Sequence, residues 1–182
     1  MPYPASAIAN EFIRLAKESN RPLSPMKVQK LVYFAHGWYL AFTGRPLINE
    51  PVEAWRFGPV IPSLYHALKN YGSSQVEESL TDDPWDFFLG SDEVQRPSID
   101  DGPDPQENAL AKQIVKRVWE VYGGFTAIQL SNLTHNEDAP WMETPGRDKK
   151  HTVIDQEKIR EYFLRLLKQN QERGQVEALR NG

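Results

Sequence analysis

Apolar residues recur at helical spacing from the start of the chain: Ile8, Phe12, Leu15 and Ala16 fall on one face. This spacing predicts a helix from Ser6 to Ser19, with Ser6 as N-cap and Asn20-Arg21-Pro22 as its end. The next segment has a clearer start. Ser24 offers a cap, Pro25 fits the first helical position and Gly44 fits the stop after Thr43. Between them Leu31, Val32, Tyr33, Phe34, Ala35, Trp38, Tyr39, Leu40, Ala41 and Phe42 cover nearly every side. A helix apolar all round belongs in the middle of a core. At 1.5 Å per residue it spans roughly 27 Å, enough to cross a small domain.

Beyond Gly44 the period changes. Val52, Ala54 and Arg56 alternate with Glu53, Trp55 and Phe57, which predicts a short strand broken by Gly58-Pro59. A helix from Ile61 to Asn70 follows, with Pro62 in its first turn, Leu64 and Leu68 on one face and Gly72 closing it. The stretch after it has no sustained period and carries Pro84, Pro97, Pro103 and Pro105. It reads as a long loop with one short strand, from Trp85 to Leu89 or from Glu93 to Arg96. Asp104-Pro105 then opens a helix to Tyr122 with Leu110, Ile114, Val118 and Val121 on one face. Thr126 and Gln129 have capping-box spacing and open a short helix through Ile128, Leu130 and Leu133. Ala139-Pro140-Trp141 reads as loop. A last helix runs from Asp155 through Ile159, Tyr162, Phe163, Leu166 and Leu167. The expected fold is mainly α with a small β component (α+β): a helical bundle around the central apolar helix, plus a short antiparallel sheet.

Length fits this picture. The chain has 182 residues, of which 40% are hydrophobic, so one domain can bury a core without staples. The reading is a single domain over 1–182, with an acidic loop insertion at 76–104 and a flexible tail at 171–182. Charge is unevenly spread. Val76 to Glu107 holds eleven acidic residues and one basic residue, Arg96, so that segment carries −10. The whole chain carries −4, which leaves +6 elsewhere. An acidic surface excursion suits either solvent or a basic partner. The start of the chain lacks a basic and apolar leader, and no apolar run is long enough to span a bilayer. A soluble cytoplasmic protein without membrane contact is expected.

The candidate chemistry is sparse. The chain has no cysteine, which excludes disulfides, thiolate metal sites and cysteine nucleophiles. Its four histidines, His36, His66, His135 and His151, include no pair at the spacing of a helical zinc site. His135-Asn136-Glu137 matches half of a zinc deaminase signature whose other half needs cysteines. Phosphate-loop, dinucleotide and nucleophile-elbow motifs are missing. No cofactor or metal and no enzymatic activity is expected. Gln29, Tyr33 and His36 form a polar-edged stripe on the central helix, read as a contact line or as one solvent-facing or core edge. Trp38, Trp55, Phe57, Tyr65 and Trp141 are candidate partner anchors, since aromatic residues are enriched at binding hot spots.

Three ordered motifs resemble one family. Lys27-Val28-Gln29-Lys30-Leu31-Val32-Tyr33-Phe34-Ala35-His36-Gly37-Trp38 is similar to a signature helix, with Val28, Phe34 and His36 replacing its usual leucine, tyrosine and glutamine. Glu53-Ala54-Trp55-Arg56-Phe57-Gly58-Pro59-Val60 and Thr134-His135 with Pro140-Trp141 resemble its other two elements. The family is that of the SocA-like, or Panacea, domain, also known as a phage-associated protein. The resemblance implies an antitoxin, encoded beside a toxin gene, that binds and neutralises its cognate toxin. It also implies an adaptor alternative, in which the toxin is delivered to an AAA+ protease. It does not transfer a toxin identity, because members pair with unrelated toxins. A basic toxin fits the charge sense of the acidic loop. The expected partner-binding residues are Gln29, Tyr33, His36, Trp38, Trp55, Phe57, Tyr65, His135 and Trp141. A small-molecule-binding protein or an enzyme is a further alternative. Direct nucleic-acid binding is not expected, because a basic tail for phosphate contacts is missing.

Overall fold

A computed structural model describes residues 1–81, 96–147, 149 and 151–180, with side chains to residue 172. It is mainly helical with one small antiparallel sheet, as the periodicity predicts. The helices are α1 (Ala5–Glu18), α2 (Pro25–Thr43), α3 (Pro62–Leu68), α4 (Pro105–Tyr122), α5 (Ala127–Leu133), α6 (Pro140–Glu143) and α7 (Gln156–Arg180). The strands are β1 (Glu53–Trp55) and β2 (Gly58–Val60).

Helix α2 is the spine. It packs against α1, α3, α4, α5, α7 and β2. Leu31, Val32, Tyr33, Phe34, Ala35, Tyr39 and Leu40 are buried on all sides of it. Its ends form as the sequence predicts: the Ser24 hydroxyl accepts the Lys27 N–H, and Gly44 closes the helix at φ 68°. One glycine sets the closest packing. A β-carbon on Gly37 would lie 2.1 Å from the Phe163 ring, so α7 crosses α2 at a point that only glycine permits. Phe163 there meets Tyr33, Phe34 and Trp38 edge-on, at ring separations of 5.1–6.0 Å.

Several expectations need correction. Ser6 does not cap α1; it lies inside the helix and is buried. The Glu50 carboxylate takes the cap's place and accepts the Ala5 N–H at 3.0 Å. Gly58-Pro59 does not end the sheet. It forms β2, paired to β1 with Trp55 opposite Gly58. An extended stretch lies along the other side of β1, where Ala54 N–H donates to Thr152 and Ile154 N–H to Val52, both at 2.8 Å. Pro140-Trp141 opens a one-turn helix rather than a loop. Val121 and Ile128, assigned to apolar faces, are exposed; the buried face of α4 is Ala111, Ile114, Val115, Val118 and Trp119. Helix α3 is shorter than predicted and passes into a 3-10 turn, Lys69–Tyr71, before Gly72.

Both described ends of the acidic stretch are pinned to α1. The Asn10 amide donates to the Leu80 and Pro97 carbonyls and accepts the Leu80 N–H. Ser98 caps a 3-10 turn, Ile99–Asp101, within it. The two pieces of strand expected in this stretch lie outside the described residues, apart from Arg96. Among the described residues, no helix is long and apolar enough to cross a membrane.

Candidate partner-docking site

The three sequence motifs meet at one turn. Strands β1 and β2 project Arg56 and Phe57 at the tip of their hairpin. Lys30, from the second turn of α2, reaches under the tip and donates to the Phe57 carbonyl at 2.8 Å and the Pro59 carbonyl at 3.1 Å. The Ser131 hydroxyl of α5 donates to the same Phe57 carbonyl at 3.1 Å. Lys30 is 2% exposed, and desolvation lowers its amine to about 7. A buried amine in this position is a tether: it satisfies carbonyls that the tight turn leaves without ladder partners.

Gly58 is part of the same arrangement. Its φ of 101° is unfavourable for other residues, and a β-carbon would lie 2.6 Å from the Lys30 Nζ and 2.7 Å from the Thr134 hydroxyl. From below, the Trp141 indole N–H donates to the Trp55 carbonyl at 2.7 Å. Trp141 is buried, and the His135 ring lies 4.2 Å from it. The His135 Nδ1 sits 2.6 Å from the Ser131 carbonyl, which can only accept, so that nitrogen carries the proton. The Trp55 indole N–H donates to Glu53 at 2.8 Å, and its ring meets that of Tyr65, from α3, at 4.9 Å.

The outer surface of this cluster is aromatic and exposed. Phe57 is 64% exposed and Tyr65 43%, with Trp55 half-buried between β1 and α3. The structure thus brings together Trp55, Phe57, Tyr65, His135 and Trp141. It separates the remaining candidates. Gln29 is buried and exchanges two hydrogen bonds with the backbone of Ile61, fixing the exit of β2 into α3. Tyr33 is buried beside Phe163, and burial pushes its hydroxyl far above its usual range. His36 is fully buried; its Nδ1 accepts the Ile48 N–H at 3.5 Å and its Nε2 has no partner among the described residues. Desolvation lowers it to about 4, so it is neutral at ordinary pH. The Gln29–Tyr33–His36 stripe is therefore part of the core rather than a solvent-facing edge. Trp38 lines a separate groove of about 770 Å³ with Phe42, Leu110, Val121 and Leu167.

Sequence reasoning missed Lys30, Ser131 and Thr134. Lysines at 27 and 30 in a helix apolar all round were the available signal. Both are buried, and Lys27 donates to the Gly123 carbonyl at 2.7 Å. Among the described residues, no group of His, Asp and Glu is arranged to hold a metal ion.

Comparison with known proteins covers this region. The family model for the antitoxin SocA-like Panacea domain matches residues 28–142, a span that holds the tether, the hairpin and Trp141. The Antitoxin SocA of Caulobacter vibrioides (strain NA1000 / CB15N) is 34% identical over 137 residues, which is 75% of this chain and 68% of that protein. No solved structure matches the chain. With the motifs that define the likeness gathered around one hairpin, the chain belongs to the SocA-like Panacea-domain antitoxin family.

Proposed function

We propose that this chain neutralises a cognate toxin by direct contact, docking it on the hairpin face of Trp55, Phe57 and Tyr65. Family membership supports the antitoxin role and a non-enzymatic one. The location rests on one observation: Phe57 stands 64% exposed on a turn whose carbonyl is held by both Lys30 and Ser131. A large apolar side chain kept in water gains from being covered. A rigid backbone beneath it lowers the ordering cost that binding must overcome. Aromatic anchors on preorganised elements are the usual centres of binding energy.

The buried part of the cluster is support. Trp141 and His135 hold the hairpin from beneath, and Gln29 fixes the strand that leads away from it. The toxin meets the outer aromatic rings, and its active surface is masked by the body behind them. The test is co-expression with the product of the neighbouring reading frame, scored by growth rescue and co-purification. Rescue with a stable complex supports masking. Rescue that shortens the toxin's lifetime and requires an AAA+ protease replaces masking with the adaptor reading. Lack of both rescue and co-purification contradicts the proposal.

A further inference from the structure

Three helices enclose an apolar groove. Trp38 and Phe42 come from α2, Leu110 and Val121 from α4, and Leu167 from α7. Phe42 is 58% exposed and Val121 45%, so large apolar side chains from two helices stand in water in one groove. The wall behind them is tied across α2 and α4: the Trp38 ring stacks on Phe42 at 6.2 Å, and its indole N–H donates to the Tyr122 hydroxyl at 3.4 Å. The charged residues of the lining are Lys116, Arg117 and Glu120, all exposed on α4. Lys116 has no ion pair among the described residues. Glu120 pairs with Arg117 at 3.1 Å, an exposed contact that holds it only weakly.

We infer that this groove is the contact between two copies of the chain, related by a two-fold axis across α4. Lys116 of each copy faces the partner's Glu120, and Phe42 and Val121 enter the partner's groove. The groove shares no lining residue with the face of Trp55, Phe57 and Tyr65, so this contact is independent of the docking reading. A two-fold contact needs a surface that complements itself. Helix α4 has that property. Lys116 and Glu120 lie four residues apart, on one side of the helix. An antiparallel copy of α4 sets each of them opposite the other sign, twice in one interface. The apolar part matches itself in the same way, because each copy supplies both the hollow and the exposed side chains that fill it. Covering Phe42 and Val121 removes apolar surface from water on both copies.

The experiment is sedimentation of the full chain from about 1 μM to about 1 mM, the range in which a modest interface assembles. The mass should rise with concentration from the 20.9 kDa of one chain towards twice that value. Lys116→Glu alone, or Glu120→Lys alone, sets like charges opposite each other and should weaken the dimer by roughly 10-fold or more. The chain carrying both changes restores opposite signs and should dimerise within about 3-fold of the wild type. Val121→Glu should leave a monomer. All three positions are exposed, so melting curves should match the wild type; the charge reversals serve if Val121→Glu does not fold. A monomer throughout the range overturns the inference, as do single reversals without effect or a double reversal that stays weak. Dimerisation that Phe57→Ser abolishes and Val121→Glu leaves intact moves the interface to the hairpin and overturns it too.

Discussion

The Lys30 amine meets the Phe57 carbonyl at 2.8 Å, joining the second turn of the central helix to the tip of the hairpin. Replacing Lys30 with Met removes this bond and the one to Pro59 while keeping an unbranched apolar stem. The carbonyl of Pro59 then loses its buried donor, at a cost of about 1–3 kcal/mol. The pH dependence has a definite sign. Lys30 falls from 10.5 to about 7 on folding, so between those values the unfolded chain binds the extra proton. Stability from this group therefore rises with pH across that window. The wild-type advantage over Lys30→Met should grow from pH 7 towards pH 10, read as the difference in urea midpoint.

Gly37→Ala tests the crossing of α2 and α7. Alanine favours a helix by about 1 kcal/mol over glycine. Here its β-carbon would meet the Phe163 ring at 2.1 Å, and the neighbour is a rigid aromatic ring in a packed cluster. The clash should win, with a net loss of about 1–3 kcal/mol. Adding Phe163→Leu should recover part of the loss, visible as non-additivity in a double-mutant cycle.

His36 gives an acid limb to the stability profile. Its folded value of about 4 lies below the ordinary 6.5, so as pH falls through that window the unfolded state takes up the proton first. Stability is lost between pH 6.5 and 4 and no further below it. His36→Gln removes this term. Urea midpoints between pH 7 and 4 should fall less steeply in the variant than in the wild type.

Trp141 holds the hairpin from beneath, at 6% exposure. Trp141→Ala should destabilise by about 3–5 kcal/mol. Trp38 and Trp55 are half-buried, so their alanine variants should cost less than that. Thermal melts of the three variants give the order directly.

Much of this architecture was legible before the fold. The Ser24-Pro25 and Asp104-Pro105 starts, the Gly44 stop and the Thr126–Gln129 capping box all form as their chemistry dictates. These signals are local, so tertiary contacts had little to change. The misses share the opposite property. Strand β2 is three residues long and contains a proline, too short for any period and contrary to strand propensity. Val121 and Ile128 sit at helical spacing, but spacing alone does not say whether another element arrives to cover them. Glu50 caps α1 from 45 positions away. The site divides in the same way. Its aromatic residues were visible as types, whereas Lys30 acts through contacts with residues 27 and 29 positions distant. The candidate stripe on α2 was correctly located on the helix, but the packing of Ile61, Ile48 and Phe163 makes it interior.

The docking claim is tested most directly by growth of cells expressing the toxin together with wild-type chain, Phe57→Ser or Ile128→Ser. Phe57 and Ile128 are both exposed apolar residues, at 64% and 69%, so either change should leave stability within about 0.5 kcal/mol. The account predicts rescue and co-purification with the wild type and Ile128→Ser, and loss of both with Phe57→Ser at unchanged melting temperature. Rescue by Phe57→Ser equal to the wild type would contradict it.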